Sequence, residues 1–132
     1  MAMGYINTFI TVAPDSRAET GIAPDRPGSI AGLEHMLLTS NPYRLTGEEL
    51  ILAVHARHKG VDDADIESFK AALFSKPHPC LRTSMLPKRY GWGAHYDGDG
   101  RIALYGIETS DYRRLASQSD ISVIPAMRNR KP

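Results

Sequence analysis

The chain has 132 residues, 42% of them hydrophobic and 23% charged, with 16 Lys plus Arg against 15 Asp plus Glu. That balance describes one ordinary globular domain, long enough to bury about two thirds of its unfolded surface without disulfides or a structural metal and short for two independent cores. The longest purely apolar run, Leu50 to Val54, falls far below the ~20 residues of a bilayer-spanning helix, so no membrane association is expected. No basic patch precedes the first hydrophobic segment, which Asn7 and Thr8 interrupt, so a secretory signal is not expected either. The single cysteine permits no internal disulfide and suits a reducing cytoplasm.

Tyr5 to Val12 alternates β-branched and aromatic residues, with Ile6, Thr8, Ile10 and Val12 on one face and Tyr5, Asn7, Phe9 and Thr11 on the other; this predicts a strand with one face more apolar. Residues 13–28 contain Pro14, Gly21, Pro24, Pro27 and Gly28 with no apolar period and read as a long loop, a length often tied to function. Ser29 is placed to cap a helix bearing Ile30, Leu33 and Leu37 on one side and ending at Ser40-Asn41-Pro42. Thr46 and Glu49 form a capping box for a second helix, with Leu45 and Leu50 as a hydrophobic staple and Gly60 as its stop. Asp62 is expected to cap a third helix, with Val61 and Ile66 as its staple and a buried stripe of Ile66, Phe69 and Leu73, closed by Pro77.

Residues 81–107 are rich in Gly, aromatic and β-capable residues around Asp97-Gly98-Asp99-Gly100 and read as a β-hairpin. A short helix from about Ser110 to Ser117, capped by Ser110 or Thr109, leads to a last strand within Ile121 to Met127, where Pro125 suits an edge position. The expected fold is a small α+β domain spanning 1–132. Its antiparallel or mixed sheet would carry the hairpin and pack against three to four helices, and residues 128–132 would form a flexible tail.

Charge is unevenly distributed: residues 1–79 carry 7 basic and 10 acidic side chains, residues 80–132 carry 9 and 5. The basic half suits a solvated face, or an anion, phosphorylated ligand or nucleic-acid backbone. Within it, Lys88-Arg89-Tyr90-Gly91-Trp92-Gly93-Ala94-His95-Tyr96-Asp97 mixes cations and rings. As a strand it would place Tyr90, Trp92, Ala94 and Tyr96 on one face and Arg89, Gly91, Gly93, His95 and Asp97 on the other. Glycines beside a tryptophan let a backbone or ligand approach closely, whereas the same ring is also large enough to serve the core.

Several other chemistries meet only part of their requirements. His95 to Gly100 resembles the start of a calcium loop, but a histidine stands at its first ligand position and Gly106 at the one that needs glutamate. His55 and His58 share a helix face, with His35, His78, His95 or Cys80 as further metal ligands, but without metalloenzyme spacing; no metal or cofactor is expected. Cys80 beside His78 and Arg82 reads as structural rather than reactive. Tyr90-Gly91-Trp92-Gly93 shares only its glycine and aromatic spacing with the base-stacking motif of RNA-recognition domains.

Tyr5 to Val12 with Ala13-Pro14, Asn41-Pro42-Tyr43, Pro79-Cys80-Leu81-Arg82, Lys88 to His95, Ile102 to Gly106 and Ala126-Met127-Arg128 together resemble a family of small uncharacterised bacterial proteins, a domain of unknown function, across nearly the whole chain. The resemblance implies a bacterial, single-domain cytoplasmic protein and brings no activity with it.

The leading expectation is a non-enzymatic domain that binds an anionic small molecule or peptide. Arg82, Lys88 and Arg89 would be its charge partners, with Trp92 and His95 shaping the site, because Arg forks match carboxylate and phosphate. The alternatives are single-stranded nucleic-acid binding, an enzyme using His95 as general base oriented by Asp97 or Asp99, and a protein-interaction module or homodimer in which the hairpin's edge pairs with a partner strand.

Overall fold

The computed structural model describes residues 5–130. The described chain runs β1 (Thr8–Thr11), α1 (Ile30–Ser40), α2 (Gly47–Lys59), α3 (Ile66–Leu73), α4 (Met85–Arg89), β2 (Trp92–Tyr96), β3 (Ile102–Gly106), α5 (Ser110–Ala116) and β4 (Ser122–Pro125), with 3-10 turns before α3 and α4. The strands form one mixed sheet ordered β3-β2-β1-β4, antiparallel except for the parallel pair β1–β4. This is an α+β fold. None of its described helices is long and apolar enough to cross a membrane.

Both sheet faces are covered. On one, Ile10, Ala94, Tyr96 and Ile102 pack with Leu37 and Leu38 of α1 and Leu50 and Val54 of α2. On the other, Phe9 packs with Tyr112 and Leu115 of α5. The one-sided strand expected at Tyr5–Val12 is therefore shorter and two-sided, and Phe9 and Ile10 are both 0% exposed. Each large apolar side chain buried this way contributes about 1.5–3 kcal/mol. Val12 lies past the end of the strand, and its N–H donates to the Tyr112 hydroxyl at 2.8 Å.

Local signals place three helix starts. Ser29 Oγ accepts from Gly32 N–H, the Thr46–Glu49 capping box is complete, and Thr109 rather than Ser110 caps α5; each cap stabilises by about 1 kcal/mol. Gly60 closes α2 in the left-handed region at φ 65°.

α3 departs from expectation. A 3-10 turn at Asp63–Asp65 intervenes, Asp62 makes no side-chain cap, and no residue of α3 is buried. Ile66, Phe69 and Leu73 are half-buried because α3 packs on α2, outside the sheet's own core.

The hairpin is shorter than expected, running from Trp92 to Gly106. Lys88 and Arg89 lie in helix α4, which Ser84 caps through Leu86 N–H. Pro87 is tolerated in that first turn, where its missing N–H would have had no helical partner. The hairpin's outer strand is covered at Ile102, whose carbonyl accepts from Tyr43 N–H at 2.9 Å and whose N–H donates to Leu45 at 3.0 Å. Residues 13–28 form no helix or strand but are tied to the sheet. In the expected tail, residues 131–132 lie outside the described ones, and Asn129 and Arg130 are held by Asp15.

Candidate functional site

The five residues expected to form one site occupy four places. Lys88 and Arg89, at the end of α4, line an open cradle of about 760 Å³ together with Asp15, Arg17, Glu19 and Arg130. Arg82 lies at the edge of β4, its Nε donating to Pro125 O at 3.0 Å. Trp92 and His95 sit on opposite faces of β2. Trp92 meets the His35 ring of α1 at 5.1 Å between centroids, whereas His95 pairs in register with Phe9 and Ala103 on the α5 face.

The cradle has three walls from distant parts of the chain. Asp15 forms its fixed point: its carboxylate accepts from the backbone N–H of Asn129 and Arg130, each at 3.0 Å, and from Asn129 Nδ2 at 3.2 Å. The Asn129 backbone donor chiefly holds its pKa below the ordinary value. Arg89 Nε donates to Asn129 Oδ1 at 3.3 Å, and Asn129 Nδ2 reaches Lys88 O at 2.9 Å. Arg17, Lys88, Arg89 and Arg130 thus surround a depression in which one of the two carboxylates, Asp15, is already engaged by backbone donors.

The glycines beside Trp92 serve the protein's own chain. Gly91 has φ +79°, and a Cβ there would strike the Thr20 carbonyl; a Cβ on Gly93 would come within 2.5 Å of the Phe9 ring. Residues 18–22 form a strap over this end of the sheet. Trp92 Nε1 donates to Ile22 O at 2.8 Å, Ile22 N–H to Tyr90 O at 2.9 Å, and Gly21 N–H to the Glu108 carboxylate at 2.9 Å. That last bond is the main cause of a lowered Glu108 pKa. Trp92 therefore shapes the cradle indirectly, by holding Ile22 in its wall.

His95 is engaged differently from the general-base expectation. Its Nδ1 lies 2.7 Å from the Tyr43 hydroxyl, which is also 2.7 Å from that of Tyr105. Burial lowers the His95 pKa and raises that of Tyr43. Asp97 does not orient the imidazole through a hydrogen bond, since its Oδ1 accepts from Asp99 and Arg101 N–H, each at 2.9 Å, and closes the hairpin turn.

A second cavity, of about 290 Å³, opens between α1, α2 and residues 78–85. Its lining includes Glu34, His55, His78 and Cys80. Of these, the histidines and Cys80 stand out in the sequence as metal candidates, while Glu34 carries no local signal. Among the described residues, no group of three or more His, Cys, Asp or Glu side chains is arranged to hold a metal ion. Arg17 and Asp15 are likewise invisible to local reading, because they lie in a loop without periodicity.

No curated protein and no solved structure matches the chain. A family model matches residues 1–132, and the chain belongs to that family, DUF6157, a family of unknown function.

Proposed function

We propose that the protein binds a small anionic molecule, a phosphate or carboxylate compound, in the cradle built around Lys88 and Arg89. The carrying observation is that cations from three separate segments, Arg17, Lys88 with Arg89, and Arg130, line one depression, while Asp15 there is engaged by backbone donors. Charge-assisted hydrogen bonds from such cations each contribute about 1.5–3 kcal/mol, and guanidinium forks suit planar oxyanions. A reducing bacterial cytoplasm, suited to a chain with one cysteine, is part of the proposal.

Calorimetry at low ionic strength with pyrophosphate and with citrate tests this reading. Lys88→Ala/Arg89→Ala should weaken binding of the better probe at least about tenfold, and Arg82→Ala, at the β4 edge, should leave it unchanged. Equal affinity in the double variant, or no binding of either probe, overturns the proposal. A mixed oligonucleotide that binds with steep salt dependence while both probes fail supports nucleic-acid binding instead. For that alternative, Trp92 lies against the Gly21 strap, and Tyr90 is the ring beside Lys88 and Arg89 on which a base would stack.

A further inference from the structure

Glu34 is a carboxylate where the helix pattern calls for an apolar residue. It lies one helical turn from Ile30, Ala31, Leu37 and Leu38, on the side of α1 that enters the core, and Ala31, Leu37 and Leu38 are buried. Its Oε1 accepts from Ser84 Oγ at 2.6 Å, the single protein hydrogen bond of this carboxyl among the described residues. A carboxylate enclosed in apolar surroundings is costly unless it takes up a proton or a cation meets it. The one ion pair among the described residues, Arg114–Asp111, lies on α5. No lysine or arginine lines the cavity into which Glu34 faces.

The remaining lining fits the same partner. Ile30, Ile51, Val54 and Met85 supply apolar surface. His78 Nε2 donates to Leu73 O at 2.6 Å, since a carbonyl oxygen only accepts. His55, with its ring 5.5 Å from that of His78, has a pKa lowered chiefly by burial and stands neutral at pH 7. The cavity therefore offers acceptors and one acid against an apolar wall, the inverse of the cradle around Lys88.

We propose that the cavity between α1, α2 and residues 78–85 binds a small organic cation, an ammonium or amidinium on an apolar body, with the Glu34 carboxylate as its counter-ion. The proposal is independent of anion binding at the cradle. Where Glu34 is ionised, an anionic ligand would face it without a compensating cation, and a neutral apolar one would leave the carboxylate unpaired.

Burial pushes the Glu34 pKa up to about 7, so a cationic ligand should bind about tenfold more tightly at pH 8 than at pH 6, following the ionised fraction of Glu34. The titratable groups facing it are His55 of α2, His78 and Cys80 of the 78–85 segment, and Tyr96 of β2, with Tyr5 beside Cys80. Protonation of His55 acts in the same direction as that of Glu34, so a variant is needed to separate them. Glu34→Gln keeps an acceptor for Ser84 and removes the charge.

The test is an NMR titration with benzamidinium at up to about 10 mM, the range of weak fragment binding. It is read on the imidazole signals of His55 and His78, with neutral benzamide and anionic benzoate as matched probes. Benzamidinium should shift these signals saturably, benzamide at least tenfold more weakly and benzoate not at all, and Glu34→Gln should abolish the preference for the cation. Ile51→Trp, which fills the cavity and keeps the carboxylate, should block benzamidinium as well and serves if Glu34→Gln fails to fold. Equal binding of benzamide, a cation preference that survives in Glu34→Gln, or no shift with benzamidinium overturns the proposal. Failure of pyrophosphate and citrate at the cradle leaves these signals unaffected.

Discussion

The Tyr43 hydroxyl lies 2.7 Å from His95 Nδ1, although 52 residues separate the two in sequence. Tyr43 adopts φ +59°, a left-handed conformation that costs a non-glycine residue about 1 kcal/mol or more. Its backbone pairs with the outer edge of β3 at Ile102, while its ring meets His95 edge-on at 5.6 Å between centroids. The strained residue thus joins the α1–α2 loop to the α5 face of the sheet.

Tyr43→Phe should destabilise the fold by about 1–2 kcal/mol, because it removes the hydrogen-bond partner of both His95 Nδ1 and Tyr105. Denaturant unfolding measures the loss, and nitrogen NMR of His95 should show Nδ1 changing its hydrogen-bond state. An unaltered Nδ1 signal would contradict the assigned contact.

Glu34 gives stability an unusual pH dependence. Its folded pKa, about 7, exceeds its ordinary 4.5, so between those values the folded state binds more protons than the unfolded. The stabilisation is complete below about 4.5 and is lost as pH rises through about 7, up to about 3 kcal/mol by linkage. His35, His55 and His95 act oppositely: their folded pKa values are lowered by burial, and the stability they contribute above about 6.5 is lost as pH falls. In the wild type Glu34 therefore opposes the histidines between about pH 4.5 and pH 7 and offsets their gain as pH rises. Glu34→Gln should instead rise from pH 5 to pH 8 and exceed wild type at the upper end, as chemical denaturation across that range would show.

Gly91→Ala should cost about 1–3 kcal/mol, because φ +79° is unfavourable for alanine and the new Cβ meets the Thr20 carbonyl. The strap at residues 18–22 should lift, and Trp92 emission should move to the red. Gly28→Ala is the matched control. Its Cβ meets nothing within 4 Å, so stability should change by no more than about 0.5 kcal/mol and emission should stay the same.

Asp15→Ala should release the C-terminal segment without unfolding the domain. Amide exchange at Asn129 and Arg130, whose N–H groups donate to Asp15, should accelerate, while exchange in β1 and β2 stays slow. In wild type, the same release should follow acidification through the depressed Asp15 pKa. Its contribution is complete above the ordinary carboxylate value and is lost as pH falls.

What the sequence determined by itself is what short-range chemistry controls. The Thr46–Glu49 box, the Gly60 stop and the Ser29 cap act within one or two turns of chain, so α1 and α2 were legible, as were the hairpin turn and the edge position of Pro125. Alternation along β2 already separated Trp92 from His95, and the structure keeps them on opposite faces. The brevity of α4 hid it, although Ser84 with Pro87 in the first turn was a usable signal. Gly91 and Gly93 signalled close approach correctly, but not that the approaching groups are Thr20 and the Phe9 and Tyr112 rings.

Only the tertiary structure decided which distant residues meet. The cradle joins residues 15–22 to 88–89 and 129–130, and the second cavity joins Glu34 to His55, His78 and Cys80. Those convergences depend on the strand order β3-β2-β1-β4 and on the packing of α1 and α2 over one face. Helical and strand periodicities report which face a side chain occupies, whereas the partner opposite that face is chosen by how the whole core packs.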